Sequence, residues 1–282
     1  MQAIQSIEQV RGVVQQWRQA GQSIGFVPTM GNLHQGHLSL VKEAQMTTDR
    51  VVVSIFVNPT QFAPGEDFSS YPRTLQEDQE KLASAQVDVL FVPDREEIYF
   101  PDASTRIIVS GLSEQYCGAS RVGHFSGVAT VVCKLLNIVQ PDLAVFGQKD
   151  FQQLRVIQRM VRDLNIPVTI NAMLTFREPD GLAMSSRNSY LTSKQRAIAP
   201  KLYQALLDAK DEALTNCKSY PEITQRQIDR LKHSGFEPEY FAICRSLDLH
   251  PAKPGDTELV ILTAAKLGKT RLIDNIEFSK KI

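Results

Sequence analysis

The sequence predicts an α/β fold in which a doubly wound parallel sheet is followed by a smaller α+β domain. Its 282 residues are enough for about two domains. Up to about residue 175, apolar runs of strand length alternate with stretches of helical period, a pattern typical of βαβ units. Beyond that point, strand-like runs follow one another with no helix between the last two, which indicates antiparallel pairing. We therefore expect one domain over residues 1–175 and a second over residues 176–282.

The strands expected in the first domain are short apolar runs, and they cover residues 23–27, 51–57, 87–92, 143–146 and 166–170. The helices expected between them begin at about residues 36, 73 and 150, with another over residues 124–138. In the first helix, Leu38 lies three residues before Val41 and Leu40 lies four before Ala44, the spacing of one helical face. Open parallel sheets bind ligands beyond the carboxyl ends of their strands, so the segments that follow these runs are the candidate binding residues.

The second domain is expected to begin with helices and to end in strands. The helices cover residues 194–215 and 221–233, and the strands cover residues 239–244, 258–265 and 270–276. The turn between the last two strands is Leu267-Gly-Lys-Thr270, which is typical of a hairpin. This turn fails as a phosphate-binding P-loop because residue 263 is threonine where that motif requires glycine, and the chain has no GxGxxG motif.

Composition limits the class of partner. The 31 Lys and Arg residues balance 31 Asp and Glu residues, so no long-range field favours nucleic acid or an anionic membrane. The four cysteines (Cys117, Cys133, Cys217 and Cys244) are far apart, which suggests neither a zinc ribbon nor a disulfide framework and fits a reducing cytosol. No apolar run approaches the ~20 residues needed to span a bilayer, and the first residues do not resemble a signal peptide. We expect a cytoplasmic protein that binds small molecules.

The segment PTMGNLHQGHLSL, residues 28–40, places His34 and His37 where an expected strand gives way to a helix. Free backbone N–H groups at a helix start favour anions, and two imidazoles beside them can donate hydrogen bonds to phosphate oxygens. Two alternatives remain. Both histidines can be ordinary surface or capping residues, or they can bind zinc, although no third zinc ligand stands out by spacing. The strand-loop-helix context favours phosphate.

Three further segments carry side chains suited to an anionic or hydroxylated ligand. Met184-Ser-Ser-Arg187 combines two hydroxyl groups with a guanidinium, although the serines can simply cap a helix. Phe146-Gly-Gln-Lys-Asp150 follows a strand, so Lys149 can meet phosphate and Asp150 can cap the next helix or orient a ligand. Val57-Asn-Pro-Thr-Gln-Phe62 also follows a strand and offers the Gln61 amide, with a plain polar loop as the alternative.

A weaker candidate is Arg121-Val-Gly-His-Phe125, which precedes the expected helix over residues 124–138. Arg121 can bind an anion, whereas His124 can be no more than a residue at a helix start.

Together these segments resemble the pantothenate synthetase family, whose members are also called pantoate:beta-alanine ligases. The motifs that carry the resemblance occur in family order along nearly the whole chain: PTMGNLHQGHLSL, NPTQF, YPRT, RVGHFSGVATVV, FGQKDFQQL and REPDGLAMSSRNSYL. The HxGH motif alone is shared by many nucleotidyl transferases, but the full ordered set is highly specific. The resemblance implies a Rossmann-like amino-terminal domain, a smaller carboxyl-terminal domain that closes over the site, and a homodimer.

The resemblance also implies the reaction. Members of the family condense (R)-pantoate with β-alanine, use ATP with Mg²⁺, and release AMP and pyrophosphate. The pantoate carboxylate first attacks the α-phosphorus to give pantoyl adenylate, and the β-alanine amine then displaces AMP. We expect four separate loops to meet at one end of the sheet, around a triphosphate and a small acid.

Carried over position by position, the resemblance implies a large set of ATP-binding residues: Met30, His34, His37, Gly147, Lys149, Asp150, Phe176, Met184, Ser185, Ser186 and Arg187. His37 matches the proton donor of the family, and His34, Lys149 and Arg187 are further candidate catalytic residues. Residues 184–187 correspond to a mobile KMSKS-like loop, in which Arg187 takes the place of a lysine.

Two glutamines, Gln61 and Gln153, resemble the residues that hold pantoate, and Gln61 also matches a position near β-alanine. Glu77 and Asp78 form an acidic patch that the family can use for magnesium, but Lys81 is close to them. We therefore assign no metal ligand.

Two rival functions belong to other classes. HxGH and a KMSKS-like loop also occur in synthetases that act on tRNA, although a neutral chain lacks the expected basic face. The other rival is a module that senses a nucleotide without turning it over.

Overall fold

The computed structural model describes residues 1–215 and 219–280. The chain forms two compact units. The first unit comprises Met1–Gln148 and Gln153–Leu174, and the second comprises Lys149–Gln152 and Thr175–Ile282. Each unit has its own sheet and its own hydrophobic core.

The described part of the first unit contains a six-stranded sheet whose strands all run parallel, in the order β1-β4-β3-β2-β5-β6. The strands are β1 (Gln2–Ile4), β2 (Ile24–Thr29), β3 (Arg50–Ile55), β4 (Val89–Phe91), β5 (Leu143–Gly147) and β6 (Thr169–Met173). The helices are α1 (Ile7–Gln19), α2 (Gln35–Thr47), α3 (Leu75–Ser84), α4 (Arg95–Ile98), α5 (Cys117–Ser120), α6 (His124–Val139) and α7 (Phe151–Asp163). The order reverses at β2, which confirms the doubly wound parallel sheet expected from the sequence.

The central strands are apolar on both faces because helices cover both sides of the sheet. Val27, Val53, Leu90 and Val145 come from β2, β3, β4 and β5 and share one fully buried cluster. Helix α2 adds the helical-period pair Val41 and Ala44 to the same cluster, as its sequence spacing predicts.

The second unit contains, within its described residues, a three-stranded antiparallel sheet of order β7-β8-β9. Its strands are β7 (Glu237–Arg245), β8 (Glu258–Leu267) and β9 (Thr270–Ser279), and its helices are α8 (Ser193–Ile198), α9 (Lys201–Thr215) and α10 (Tyr220–His233). Strands β8 and β9 are joined by the two-residue turn at Gly268 and Lys269, so the predicted hairpin is confirmed. One face of the sheet packs on α9 and α10 around Leu206, Leu231 and Ile261.

Two regular elements at the amino terminus were not expected. Strand β1 is three residues long and buries only Ile4, so it carries too little alternation to be recognised. Helix α1 fully buries only Val10 and Val14, and Ser6 caps its first turn. Strand β1 forms the edge of the sheet beside β4.

Prolines account for two differences in element bounds. The single helix expected over residues 194–215 is two helices, because Pro200 has no N–H to continue the first and instead precedes α9. The strand expected over residues 166–170 begins at Thr169 and runs to Met173, since Pro167 cannot donate to a sheet ladder.

Candidate functional site

Three of the candidate segments leave neighbouring strands of the first unit at the same edge of its sheet. Residues 30–34 follow β2, residues 56–61 follow β3, and Gly147 ends β5. Strand β2 lies between β3 and β5, at the reversal of strand order. This is the position at which open α/β sheets bind ligands. A Cβ atom added at Gly147 would meet no atom within 4 Å, so the strand end at this position is open.

The loop that precedes α2 is held by the buried carboxylate of Asp78 on α3. Its Oδ2 accepts the N–H of Asn32 at 2.8 Å, and its Oδ1 accepts the N–H of Leu33 at 2.7 Å. Lys81, one turn further along α3, donates to the carbonyl of Leu33 at 2.9 Å. Gly31 and Asn32 both have positive φ, at 82° and 50°, and glycine and asparagine tolerate that conformation better than other residues. These contacts fix the backbone that leads into His34.

His34 and His37 lie at the start of α2 with their ring centroids 4.1 Å apart. The backbone N–H of His34 donates to Nδ1 of His37 at 3.3 Å, so that Nδ1 carries no proton. In the neutral ring, the proton must therefore be on Nε2, which leaves Nε2–H as a donor. The capping alternative raised by the sequence is thus realised through Nδ1.

Gln61 is buried in the turn that follows β3, and its amide orientation is set by its neighbours. The hydroxyls of Tyr99 and Thr60 both donate to Oδ1 of Asn58 at 2.9 Å, which leaves the Asn58 amide nitrogen as a donor. That nitrogen donates to Oε1 of Gln61 at 3.0 Å, and Nε2 of Gln61 donates to Sδ of Met30 at 3.0 Å. Two candidate site residues, Gln61 and Met30, are therefore in direct contact, and the Gln61 NH₂ group is on the Met30 side.

Helix α6 supports this turn by a close approach. A Cβ atom at Gly127 would lie 2.3 Å from the carbonyl oxygen of Thr60, so only glycine permits the contact. The carbonyl of Gly127 accepts from the Asn58 amide at 3.2 Å.

Arg121 and His124, the weaker candidates, form a network that holds the same turn. Arg121 pairs with both oxygens of Glu66, at 2.6 and 2.8 Å, and donates to Nε2 of His124 at 2.9 Å. Because arginine cannot accept, the proton of His124 lies on Nδ1, which donates to the carbonyl of Gln61 at 2.7 Å. The guanidinium of Arg121 therefore serves an internal ion pair, and His124 does more than begin a helix.

The Glu66–Arg121 pair predicts a pH-dependent contribution to stability. Burial raises the pKa of Glu66, but the hydrogen bonds and charge of Arg121, with a further contribution from His124, hold it below its ordinary value of 4.5. A depressed carboxyl pKa adds stability above the unfolded value, and this stability is lost as the pH falls through the folded value. We expect Glu66→Gln to lower Tm by about 2–4 °C at pH 7, and the difference to shrink progressively as the pH falls below 4.5.

Thermal unfolding of both proteins between pH 7 and pH 3.5 tests this. Glu77→Gln, which changes an exposed carboxylate on α3, is the matched control and should leave Tm within about 1 °C. A Tm difference for Glu66→Gln that stays constant across this range would contradict the assignment.

In the second unit, Lys149 belongs to the short helical turn Gln148–Asp150, and its side chain is mostly buried. Its ammonium lies 3.9 Å from the Asp150 carboxylate, and its carbonyl accepts from the side-chain amide of Asn275 at 2.9 Å. Gln153, one of the two expected pantoate residues, is half-buried on α7 in the first unit.

The segment from Phe176 to Arg187 is also part of the second unit. The N–H of Met184 donates to the carbonyl of Phe176 at 2.9 Å, and Oγ of Ser185 accepts the N–H of Arg187 at 3.3 Å. Ser185 therefore caps the turn Ser186–Tyr190, as the capping alternative proposed. Ser186 and Arg187 are half-buried, and the Phe176 side chain is exposed.

Several residues that position the candidates were missed from the sequence: Asn58, Tyr99, Arg177, Asp274 and Asn275. Asn58 had a local signal, because Asn before Pro at a strand end is typical of a turn. The others act across long stretches of chain, and no local pattern identifies them.

Within residues 1–215 and 219–280, no group of three or more His, Cys, Asp or Glu side chains is placed to hold a metal ion. The zinc alternative for His34 and His37 therefore gains no further ligand among these residues. Cys117, Cys133 and Cys244 are reduced cysteines, while Cys217 lies outside the described residues. No helix in the described ranges is long and apolar enough to cross a membrane.

Comparison with known proteins identifies relatives along the whole chain. The family model described as pantoate-beta-alanine ligase matches residues 2–277. A pantothenate synthetase of Alcanivorax borkumensis is 52% identical over 280 residues, which cover 99% of this chain and 98% of that protein. One of Pseudomonas aeruginosa is 53% identical over 278 residues and 98% of both chains.

Solved structures of pantothenate synthetases are also similar to this chain over nearly its whole length. A pantothenate synthetase of Thermus thermophilus superimposes with a TM-score of 0.92 at 42% identity, over 98% of this chain and 99% of that one. A pantoate-beta-alanine ligase of Francisella tularensis, complexed with beta-gamma ATP and beta-alanine, gives a TM-score of 0.83 at 38% identity, over 98% of this chain and 97% of that one.

Proposed function

We propose that this chain, which belongs to the pantoate-beta-alanine ligase family, condenses (R)-pantoate with β-alanine at the expense of ATP. The observation that carries the proposal is the match to the family model over residues 2–277. The products are pantothenate, AMP and pyrophosphate. The Francisella relative is complexed with beta-gamma ATP and beta-alanine, which supports ATP and β-alanine as substrates here.

The reaction runs in two steps because a carboxylate does not react with an amine at neutral pH. In the first step, a pantoate carboxylate oxygen bonds to the α-phosphorus and the bond from that phosphorus to the bridging oxygen of pyrophosphate breaks. In the second step, the β-alanine nitrogen bonds to the acyl carbon, AMP departs with its oxygen, and the nitrogen loses a proton. Both steps develop charge that fixed hydrogen-bond donors can stabilise.

The HxGH segment is proposed to bind the triphosphate, with Met30, His34 and His37 as its contacts. Nε2–H of His37 is the donor to the phosphate oxygen on which negative charge grows, because Nδ1 already accepts the N–H of His34. His34 supplies a second ring beside it. Gly147 leaves open space at the neighbouring strand end.

The Lys149 turn and the loop over residues 184–187 are proposed as further nucleotide-binding segments. Lys149 and Arg187 are the cationic side chains that would meet phosphate and act in catalysis. The polar and backbone groups proposed to assist them are Asp150, Phe176, Met184, Ser185 and Ser186.

Gln61 and Gln153 are proposed to hold pantoate. The Gln61 NH₂ group has two hydrogens, one of which points at Sδ of Met30, so the second can donate to a carboxylate or hydroxyl oxygen of the substrate.

ATP is proposed to bind with Mg²⁺, which would neutralise phosphate charge. Asp78, the buried acid nearest the HxGH loop, already accepts two backbone N–H groups, so it does not fit the role of a metal ligand. Phosphate oxygens and water are the ligands that Mg²⁺ favours in such sites. No reaction step is assigned to the ion. We further propose that the protein is a cytoplasmic homodimer that binds neither nucleic acid nor a membrane.

Isotope exchange tests the proposed function. Labelled pyrophosphate should enter ATP only when pantoate is present, because the first step is reversible without β-alanine. A nucleotide sensor would show no exchange, and a tRNA-dependent enzyme would require RNA and bind it in a salt-dependent way. Exchange that is absent with pantoate, or equal without it, would overturn the proposal.

A further inference from the structure

Strand β9 carries two neighbouring buried polar side chains, Asp274 and Asn275, to which the proposed function gives no role. Asp274 is 4% exposed and forms a two-point ion pair with Arg177, at 2.7 and 2.9 Å. Oδ1 of Asp274 also accepts the N–H of Asn275 at 2.7 Å. We call Arg177, Asp274 and Asn275 the β9 cluster.

Arg177 connects this strand to the segment that leads into residues 184–187. Its guanidinium donates to the carbonyl of Gly181 at 3.1 Å and to that of Asn275 at 3.2 Å, and lies 3.5 Å from the ring centre of Tyr203. Arg177 also pairs with Ala183 across an antiparallel bridge, immediately before the loop. The turn Ser186–Tyr190 in turn packs on β9.

Asn275 contacts the Lys149 turn, the other segment of the second unit that is proposed to bind the nucleotide. It is 5% exposed, and its amide nitrogen donates to the carbonyl of Lys149 at 2.9 Å. The contact spans 126 residues of sequence, so it is not a local turn. A buried amide in this position fixes where the Lys149 backbone lies and hence where its side chain begins.

We propose that Asn275 is a positioning residue for ATP binding, which holds Lys149 through its backbone carbonyl while Arg177 and Asp274 fix Asn275 and the start of the 184–187 loop on the same strand. The proposal rests on the proposed function, since that function makes Lys149 a phosphate-binding residue. The proposed role of Asn275 is to hold Lys149 in place through the contact with the Lys149 carbonyl.

Replacing Asn275 with leucine removes the donor and keeps a side chain that branches at Cγ. We expect Asn275→Leu to raise the dissociation constant of ATP about three- to tenfold, the effect of one lost hydrogen bond. Calorimetric titration with Mg·ATP in the absence of pantoate measures this without turnover. If the leucine variant does not fold, the ATP dissociation constant of Asn275→Ala is measured instead.

The matched control is Gln227→Leu, which removes another buried amide of the second unit, on α10 and bonded to Glu212. Both variants should lower Tm, but only the Asn275 variant should weaken ATP binding. Equal ATP affinity in the two variants would overturn the proposal.

A double-mutant cycle with Lys149→Ala shows whether Asn275 acts through Lys149. If it does, adding Asn275→Leu to Lys149→Ala should weaken ATP binding by less than about twofold, whereas independent effects would multiply. Multiplicative effects would overturn the proposal. Pantoate-dependent exchange in the unaltered protein tests the proposed function separately, so failure of one is distinguishable from failure of the other.

Discussion

His37→Ala is expected to slow formation of pantoyl adenylate by about a hundredfold to a thousandfold. This is the scale for removing one preorganised donor to a developing charge, ~2.7–4 kcal/mol of activation free energy. In the proposed role the donor is Nε2–H, because Nδ1 of His37 accepts the N–H of His34. Rapid-quench measurement of adenylate formation, with ATP and pantoate both saturating, isolates this step from binding and release.

Two conservative variants separate this role from the capping role of the same ring. Glutamine places an amide nitrogen near the position of Nε2, whereas asparagine places an amide oxygen near the position of Nδ1 and removes the Nε2 donor. We expect His37→Gln to retain more of the rate than His37→Asn, and His37→Asn to retain more of the stability. The opposite order of rates would show that His37 acts only by capping α2.

His250→Ala is the matched control, because it removes an exposed imidazole between β7 and β8 that belongs to none of the candidate segments. It should leave the rate of adenylate formation within about twofold. An unchanged rate in His37→Ala would remove His37 from the reaction.

The sequence alone was sufficient to predict those features of the fold that depend on adjacent residues. The HxGH and NPTQF segments lie at strand ends because each follows an apolar run, and their positions in the first unit are those predicted. The break in the helix expected over residues 194–215 also had a local signal in Pro200. The position of a strand end, or the effect of a proline on a helix, can be predicted from a few neighbouring residues.

The contacts that orient the site could not be predicted in this way. Asp78 binds Asn32 across 46 residues, and Arg121 binds Glu66 across 55. In each case a polar residue is buried or half-buried only because the fold supplies its partner, and the same residue type on a surface would look identical in the sequence. The acidic patch at Glu77 and Asp78 illustrates this. One member is exposed, and the other is buried under the HxGH loop.

Asp78→Ala is expected to lower the free energy of unfolding by about 3–5 kcal/mol, the cost of removing one partner from a buried charged contact. The substitution leaves the N–H groups of Asn32 and Leu33 without their acceptor and removes the carboxylate 3.9 Å from Lys81. Denaturant unfolding followed by circular dichroism measures the change. A loss below about 1 kcal/mol would mean that the loop is held by other contacts.

The same variant should also affect the reaction, because Asp78 fixes the backbone that leads into His34. The matched control is Asp88→Ala, which likewise removes a carboxylate that accepts a backbone N–H, from Val51, and pairs with an arginine, Arg50. Asp88 precedes β4 and so lies at the opposite edge of the sheet from the HxGH loop. Both variants should be less stable, but at a temperature where both remain folded only Asp78→Ala should lose pantoate-dependent exchange, by about tenfold or more. Equal exchange rates in the two variants would show that the carboxylate stabilises the fold without orienting the histidines.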